Sequence, residues 1–518
     1  MTRDSAGVQA GELAGALRHR VDLAARQRLT PRLVEGDPTL WPMPAEAEGR
    51  LGWLKLPSSM AGEAPGLRDF ADEVARDGVQ DVVVLGMGGS SLAPEVFESL
   101  LGGNEGRPRL TVLDSTHPVV VSAHLEAFPP ETSLYVVASK SGTTLETDSL
   151  FRSFWEAAGE EGGSRFIAIT DPGTPLAELA RTCGFRRLFL APEDVGGRFS
   201  ALSPFGLVPA ALIGADLEPL MEGAAGVLDA PESAVELGLL MGEAVLAGRD
   251  KITLVADASL APFVAWLEQL LAESTGKSGT GVVPVSGESS DVPLGSDRLF
   301  VGLTLDDSGD AAVRLRALSA AGHPVAETRW SGPEAVGAEM MRWELATAAA
   351  AAVINVQAFD QPDVDLAKRL AREAMSGSGG AEADDPTIVD AGDAEALQAA
   401  IGQWLAGASA GDYIALQAFL PAVPEIQATV DSLRADLAAT GLPTTLGYGP
   451  RFLHSTGQLH KGGRKGVFCL QLVDGSGGEL GVPGSGYTYR QLIDAQALGD
   501  ARALARKGRR VLRVSLDG

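Results

Sequence analysis

Glycine and hydroxyl residues at two strand-to-helix junctions carry the clearest chemical signal in this 518-residue chain. VVVLGMGGSSLAPE (82–95) and VVASKSGTTLET (136–147) each read as an apolar strand, a loop of small residues and the start of a helix. Such a junction turns backbone N–H groups and hydroxyls toward one anion at a helix N-terminus. Two of them in one unit point to a phosphorylated small molecule. In the second loop Ser139, Lys140, Ser141, Thr143 and Thr144 offer hydroxyls and one cation around a glycine that lets the backbone come close. An ordinary Ser/Thr helix cap would use the same residue types. The first loop has no Gly-Lys-Ser/Thr ending, which disfavours a nucleotide triphosphate.

Two further segments could act on such a ligand. In DVGGRFSALSPFGLVPAAL (194–212) the paired glycines present Arg198 from a tight turn, where a guanidinium can stabilise developing negative charge. A surface turn with a solvated arginine is the alternative. In the helix ending QLLAESTGK (269–277), Gln269 and Glu273 are four apart and share a face, and Gly276 is placed as a C-cap. A carboxylate there, beside an apolar face, suits a general base. The alternative is a terminal glutamate paired with Lys277.

The elements that must position these residues follow from the hydrophobic pattern. The continuous β-rich runs at 82–86, 110–114, 134–139, 166–170 and 187–191, separated by helical stretches, suit a parallel sheet covered on both faces. The pattern predicts an α/β protein with two doubly wound parallel-sheet units and a C-terminal αβ unit. Residues 1–50 form a helical arm, 51–232 the first unit, 233–375 the second, 376–399 an acidic linker or loop, and 400–518 the last unit. A formal net charge of −26 argues against nucleic acid, so positive charge for an anionic ligand must be local. With two cysteines, no signal-like N-terminus and an Ala-rich run at 346–356 too short to span a bilayer, a cytoplasmic protein with no membrane partner is expected.

Taken in order, GGSS, SKSGTTLET, GGRFS, QLLAESTGK and FDQPDVDLAK resemble the phosphoglucose isomerase family over roughly residues 50–370. Residues 412–463, ending GYGPRFLHSTGQLHKGG, are similar to the isomerase part of fused transaldolase–phosphoglucose isomerase proteins. The resemblance implies two sugar-isomerase (SIS) domains. It also implies reversible aldose–ketose conversion of glucose 6-phosphate and fructose 6-phosphate through a cis-enediol, without metal or redox cofactor. By resemblance Ser90, Ser139, Lys140, Ser141, Thr144, Gln269 and Gln361 bind the phosphate. Glu273 is the base, Arg198 stabilises the enediolate, Lys368 assists ring opening, and Glu146 orients the ring-opening histidine.

The family places that histidine between the base and the FDQ segment. Here only His323 lies in that interval, in SAAGHPVAE, whose surroundings do not match. His454 has the family's HS sequence but follows the FDQ segment, and it is assigned the role, with His460 and His323 as alternatives. The resemblance also implies a homodimer and a functional link to transaldolase. Competing readings are an isomerase that also takes mannose 6-phosphate and a non-catalytic sugar-phosphate sensor.

Overall fold

The structure, a computed structural model, describes residues 7–159, 162–375, 386–476 and 478–516. It contains three parallel sheets. The first is built from β1 (Asp81–Gly86), β2 (Arg109–Leu113), β3 (Ser133–Ala138), β4 (Phe166–Thr170) and β5 (Arg187–Leu190), in the order β2-β1-β3-β4-β5. The second contains β6 (Lys251–Ala256), β7 (Val283–Val285), β8 (Arg298–Thr304) and β9 (Val325–Arg329), in the order β7-β6-β8-β9. The third holds β10 (Ile388–Asp390), β11 (Tyr413–Phe419), β12 (Thr444–Tyr448), β13 (Val467–Val473) and β14 (Arg510–Ser515), in the order β10-β14-β13-β11-β12.

All three sheets share one arrangement. The strand that opens each βαβ run, β1, β6 or β11, lies between the next two, and the fourth lies outside them. Within the 376–399 stretch, expected to be an acidic linker or loop, the described residues 386–399 form a strand and the start of a helix. Ile388–Asp390 pairs with β14, and a helix starts at Ala394 behind an Asp393 side-chain cap. Residues 376–385 are outside the described residues.

The apolar runs of β1, β3 and β4 are continuous because both faces of these central strands are buried, whereas the edge strands β2 and β5, expected to be covered in the same way, are partly exposed. On β1, Val82 and Val84 enter the main core, which reaches from Leu13, Trp41 and Trp53 of the N-terminal region to Phe359. Val83 and Leu85 point the other way, into a second core with Tyr135, Phe166 and Tyr489. Tyr489 belongs to the C-terminal unit, so that unit completes a face of the first sheet. It also shares a core with the second unit, where Tyr413, Ala415 and Cys469 pack with Ala272, Val283 and Val285. Both cysteines are unpaired.

The long helix Val336–Val353 carries an unsatisfied group in its buried face. Neither carboxyl oxygen of Glu344 has a hydrogen-bond partner among the described residues, and burial holds its pKa well above the usual range. Such a group stays protonated in the folded state and ionises on unfolding, so its contribution is intact below pH ~4.5 and is lost as pH rises above that. Glu344→Gln removes this dependence. The stability of the variant relative to wild type should therefore increase from about pH 5 to about pH 8, read as urea midpoints. An equal difference at both pH values would contradict a buried neutral Glu344.

Candidate active site

The loops after β1 and β3 meet where the strand order reverses, the usual ligand position in a doubly wound sheet. There they line a cleft of about 700 Å³. Ser90, Ser139, Lys140, Ser141, Thr144, Arg198, Gln269, Glu273, Gln361 and His454 all line it. The first loop can reach this position only because of its glycines. A Cβ on Gly89 would sit 1.9 Å from the carbonyl oxygen of Gly197, in the turn that presents Arg198. A Cβ on Gly88, whose φ is +57°, would sit 2.9 Å from the main-chain oxygen of His454. Gly89→Ala should separate the phosphate loop from the Arg198 turn. We expect roughly a tenfold or greater loss of kcat/KM with the fold retained, checked by initial rates and near-ultraviolet circular dichroism; unchanged rates would show that the contact is slack.

The SKSGTT loop is a compact hydroxyl cluster. Ser139 Oγ lies 2.9 Å from Thr144 Oγ1 and accepts from the Gly142 amide at 3.1 Å, while Ser141 Oγ lies 3.0 Å from Thr143 Oγ1. Thr144, which lines the cleft, stands at the N-cap position of the helix Leu145–Ala158 with an extended backbone and no side-chain cap bond, so the helix N-terminus begins at the cleft wall. Lys140 is ion-paired with Asp171 and donates to the Glu193 carbonyl at 3.2 Å. Burial raises the pKa of Asp171, opposed by the bond from Lys140.

Glu273 lies near the end of the helix Ala261–Thr275, 9% exposed. Its Oε1 is 3.0 Å from Arg198 Nη1, and its Oε2 accepts from Gln269 Nε2 at 3.1 Å. Gln269 Nε2 also donates to the His454 carbonyl at 2.8 Å, so one amide joins Glu273 to the chain that bears His454. Arg198 is saturated. Its Nε donates to Ser274 Oγ at 2.9 Å, its Nη1 to Gln361 Oε1 at 3.0 Å, and its Nη2 to the carbonyls of Ala358 and Asp360. Arginine rather than lysine is required there, because only a guanidinium can serve so many acceptors from one planar group. Lys277 pairs with Asp360 at 2.7 Å and donates to its carbonyl at 2.6 Å; burial lowers its pKa to about 7.

His454 ends a short 3-10 turn, Arg451–His454, in the C-terminal unit. Its Nε2 is 2.9 Å from Glu146 Oε1, a contact between residues 308 positions apart. The two other candidate histidines are elsewhere. His323 lies between the helix Asp310–Ala320 and β9, with its ring 5.1 Å from that of Phe300. His460 is buried, its Nδ1 3.2 Å from Gln417 Nε2, and burial drives its pKa down to about 3. Neither lines the cleft. Lys368 is on the helix Val364–Met375, and its side chain is outside the described residues.

Several residues that line or brace the cleft carry little or no signal in the sequence. Arg50 and Glu46 of the N-terminal region line the cleft, held there because Gln357 Nε2 donates to the carbonyls of Pro42 and Met43. Asp171, directly after β4, is legible only as a carboxylate at a strand end. Gln458 clamps three motifs together. Its Oε1 accepts from the Asp363 amide at 3.0 Å, and its Nε2 donates to Asp363 Oδ2 at 2.8 Å and to the Gly276 carbonyl at 3.0 Å.

Fold and cleft together define the class: a doubly wound α/β protein of the sugar-isomerase type, with its site between the phosphate loops of one unit and the helix end of the next. Residues 71–296 match the phosphoglucose isomerase family. The chain is 30% identical to glucose-6-phosphate isomerase of Rubrobacter xylanophilus over 415 residues, 68% of this chain and 94% of that protein. It is 31% identical to the Thermus thermophilus enzyme of the same name over 408 residues, 68% of this chain and 97% of that one. Among solved structures, a hypothetical protein of Thermus thermophilus superposes with a TM-score of 0.61 at 26% identity, over 71% of this chain and all of that one. The chain belongs to the phosphoglucose isomerase family.

Proposed function

We infer that the chain interconverts glucose 6-phosphate and fructose 6-phosphate through a cis-enediol intermediate, the activity named for its relatives. The observation that carries the residue roles is the convergence of two acid–base pairs, Glu273–Arg198 and His454–Glu146, on one cleft floored by phosphate-type loops.

The phosphate sits against Ser90, Ser139, Lys140, Ser141 and Thr144, with Gln269 and Gln361 alongside, and that binding orients the reactive end of the sugar. His454, backed by Glu146 and assisted by Lys368, opens the ring. Glu273 removes the proton on carbon 2 and returns it to carbon 1. Arg198 favours the intermediate's oxyanion by charge. Since its donors are occupied, a substrate oxygen would take over the bond that Nη1 makes with Gln361, the one side-chain oxygen partner free to turn away.

The unit boundaries near residues 232 and 400, a homodimer and a functional link to transaldolase belong to the same reading. A cytoplasmic location belongs to it as well; no helix among the described residues is long and apolar enough to cross a membrane. The test is isomerisation of fructose 6-phosphate by the purified chain. Glucose 6-phosphate is detected through a coupled dehydrogenase, with EDTA in a parallel run. Turnover in both runs is expected. Binding of fructose 6-phosphate without turnover would replace the isomerase with a sugar-phosphate sensor.

A further inference from the structure

The His454–Glu146 pair does not stand alone. Gln496, on the helix Tyr489–Arg506 of the C-terminal unit, donates from Nε2 to Glu146 Oε1 at 2.8 Å. Thr116, just past the carboxyl end of β2, donates from Oγ1 to Gln496 Oε1 at 2.8 Å. Thr116 is fully buried, Gln496 is 5% exposed and Glu146 is 7% exposed. The four side chains make a directed line, Thr116 to Gln496 to Glu146, with His454 on the same carboxylate oxygen.

The direction of each bond follows from chemistry. A carboxylate only accepts, so the Gln496 amide must turn its N–H groups toward Glu146. Its carbonyl oxygen then faces the other way and needs a donor in a place closed to solvent. The Thr116 hydroxyl is that donor, which fixes the amide against flipping. Glu146, in the first turn of its helix, thereby accepts from the amide and meets His454 on one oxygen. A carboxylate stabilised as the anion by a charge-assisted bond holds the facing ring nitrogen as N–H and leaves the other ring nitrogen to exchange protons.

We propose that Gln496, oriented by Thr116, is a positioning residue for ring opening: it holds the Glu146 carboxylate against His454. The C-terminal unit thus supplies the ring-opening group and also the clamp on its partner. This rests on the reading of His454 as the ring-opening group. Charged groups among the described residues also face the pair, including Arg451, which lies in the same turn as His454 and pairs with Asp114. Asp114 lies within electrostatic range of His454, Arg372 and Lys461 line the adjoining pocket with Glu146, and Lys461 is itself paired with Asp500. Glu273 is connected to the chain that bears His454 through Gln269.

The experiment follows anomerisation of glucose 6-phosphate by exchange NMR, which reads ring opening, beside the pH profile of kcat/KM. Gln496→Met keeps the length and removes the donor. Anomerisation should fall by about tenfold. The acid limb should move to higher pH by about one unit, because an anion that has lost a donor takes up its proton more readily. KM should stay within about twofold, since the phosphate contacts are unchanged. Thr116→Val, a near-isosteric change, should move both readouts the same way by less, and it serves if Gln496→Met fails to fold. Folded variants with wild-type anomerisation and an unmoved acid limb would overturn the proposal. His454→Gln separates the two readings: if it leaves anomerisation intact, the assignment of His454 fails and the proposal with it. If it abolishes anomerisation while Gln496→Met and Thr116→Val do not, only the role of Gln496 fails.

Discussion

Glu273→Gln lowers kcat for fructose 6-phosphate by a factor on the order of 100 to 10,000, the usual cost of losing a positioned general base, and leaves KM nearly unchanged. The amide is isosteric and keeps an oxygen for Arg198, while its NH2 faces Gln269 Nε2 and the bond from that donor is lost. It cannot accept a proton from carbon 2. The loop residues proposed to hold the phosphate, Ser90, Ser139, Lys140, Ser141 and Thr144, are not altered. The measurement is steady-state kinetics together with loss of solvent deuterium incorporation at carbons 1 and 2. A variant that retains normal turnover would remove Glu273 from the reaction. Retained anomerisation with lost isomerisation would place it after ring opening, as proposed.

His454→Gln is expected to lower ring opening by about 100-fold, near the lower end of general acid–base effects, because sugar rings also open unaided in water. The partner at stake is Glu146, 2.9 Å away. Isomerisation of the small open-chain fraction by Glu273 should continue, so deuterium exchange persists while turnover of cyclic substrate falls. His323→Gln serves as the control. It changes a side chain outside the cleft, and its rates should equal those of wild type. Full ring opening in His454→Gln would return the role to Lys368 or to water.

The three units differ in how far they are readable from sequence. Strands β1, β3 and β4 are legible as apolar runs because both of their faces are buried, and burial alone dictates such composition. The third sheet is legible as αβ alternation but not as the same strand order as the other two. Strand order is set by pairing between strands far apart in sequence, as when β11 pairs with both β12 and β13. The short strand Ile388–Asp390 lies in a small, polar stretch and owes its conformation to pairing with β14.

Local chemistry is within reach of the chain alone. A phosphate loop is made by neighbours in sequence, and so is the turn that presents Arg198 or the helix turn that sets Gln269 beside Glu273; their residue types and spacing determine them. Partnerships across hundreds of residues are not. That His454 rather than His323 meets Glu146, that Gln458 joins Asp363 to Gly276, and that Lys277 serves Asp360 rather than Glu273 depend on how the C-terminal unit and the 357–363 segment dock. Docking is settled by burial of apolar surface that every unit offers in similar composition. The matching of polar groups at the seam then selects one arrangement, and those matches leave no periodicity in the sequence to read.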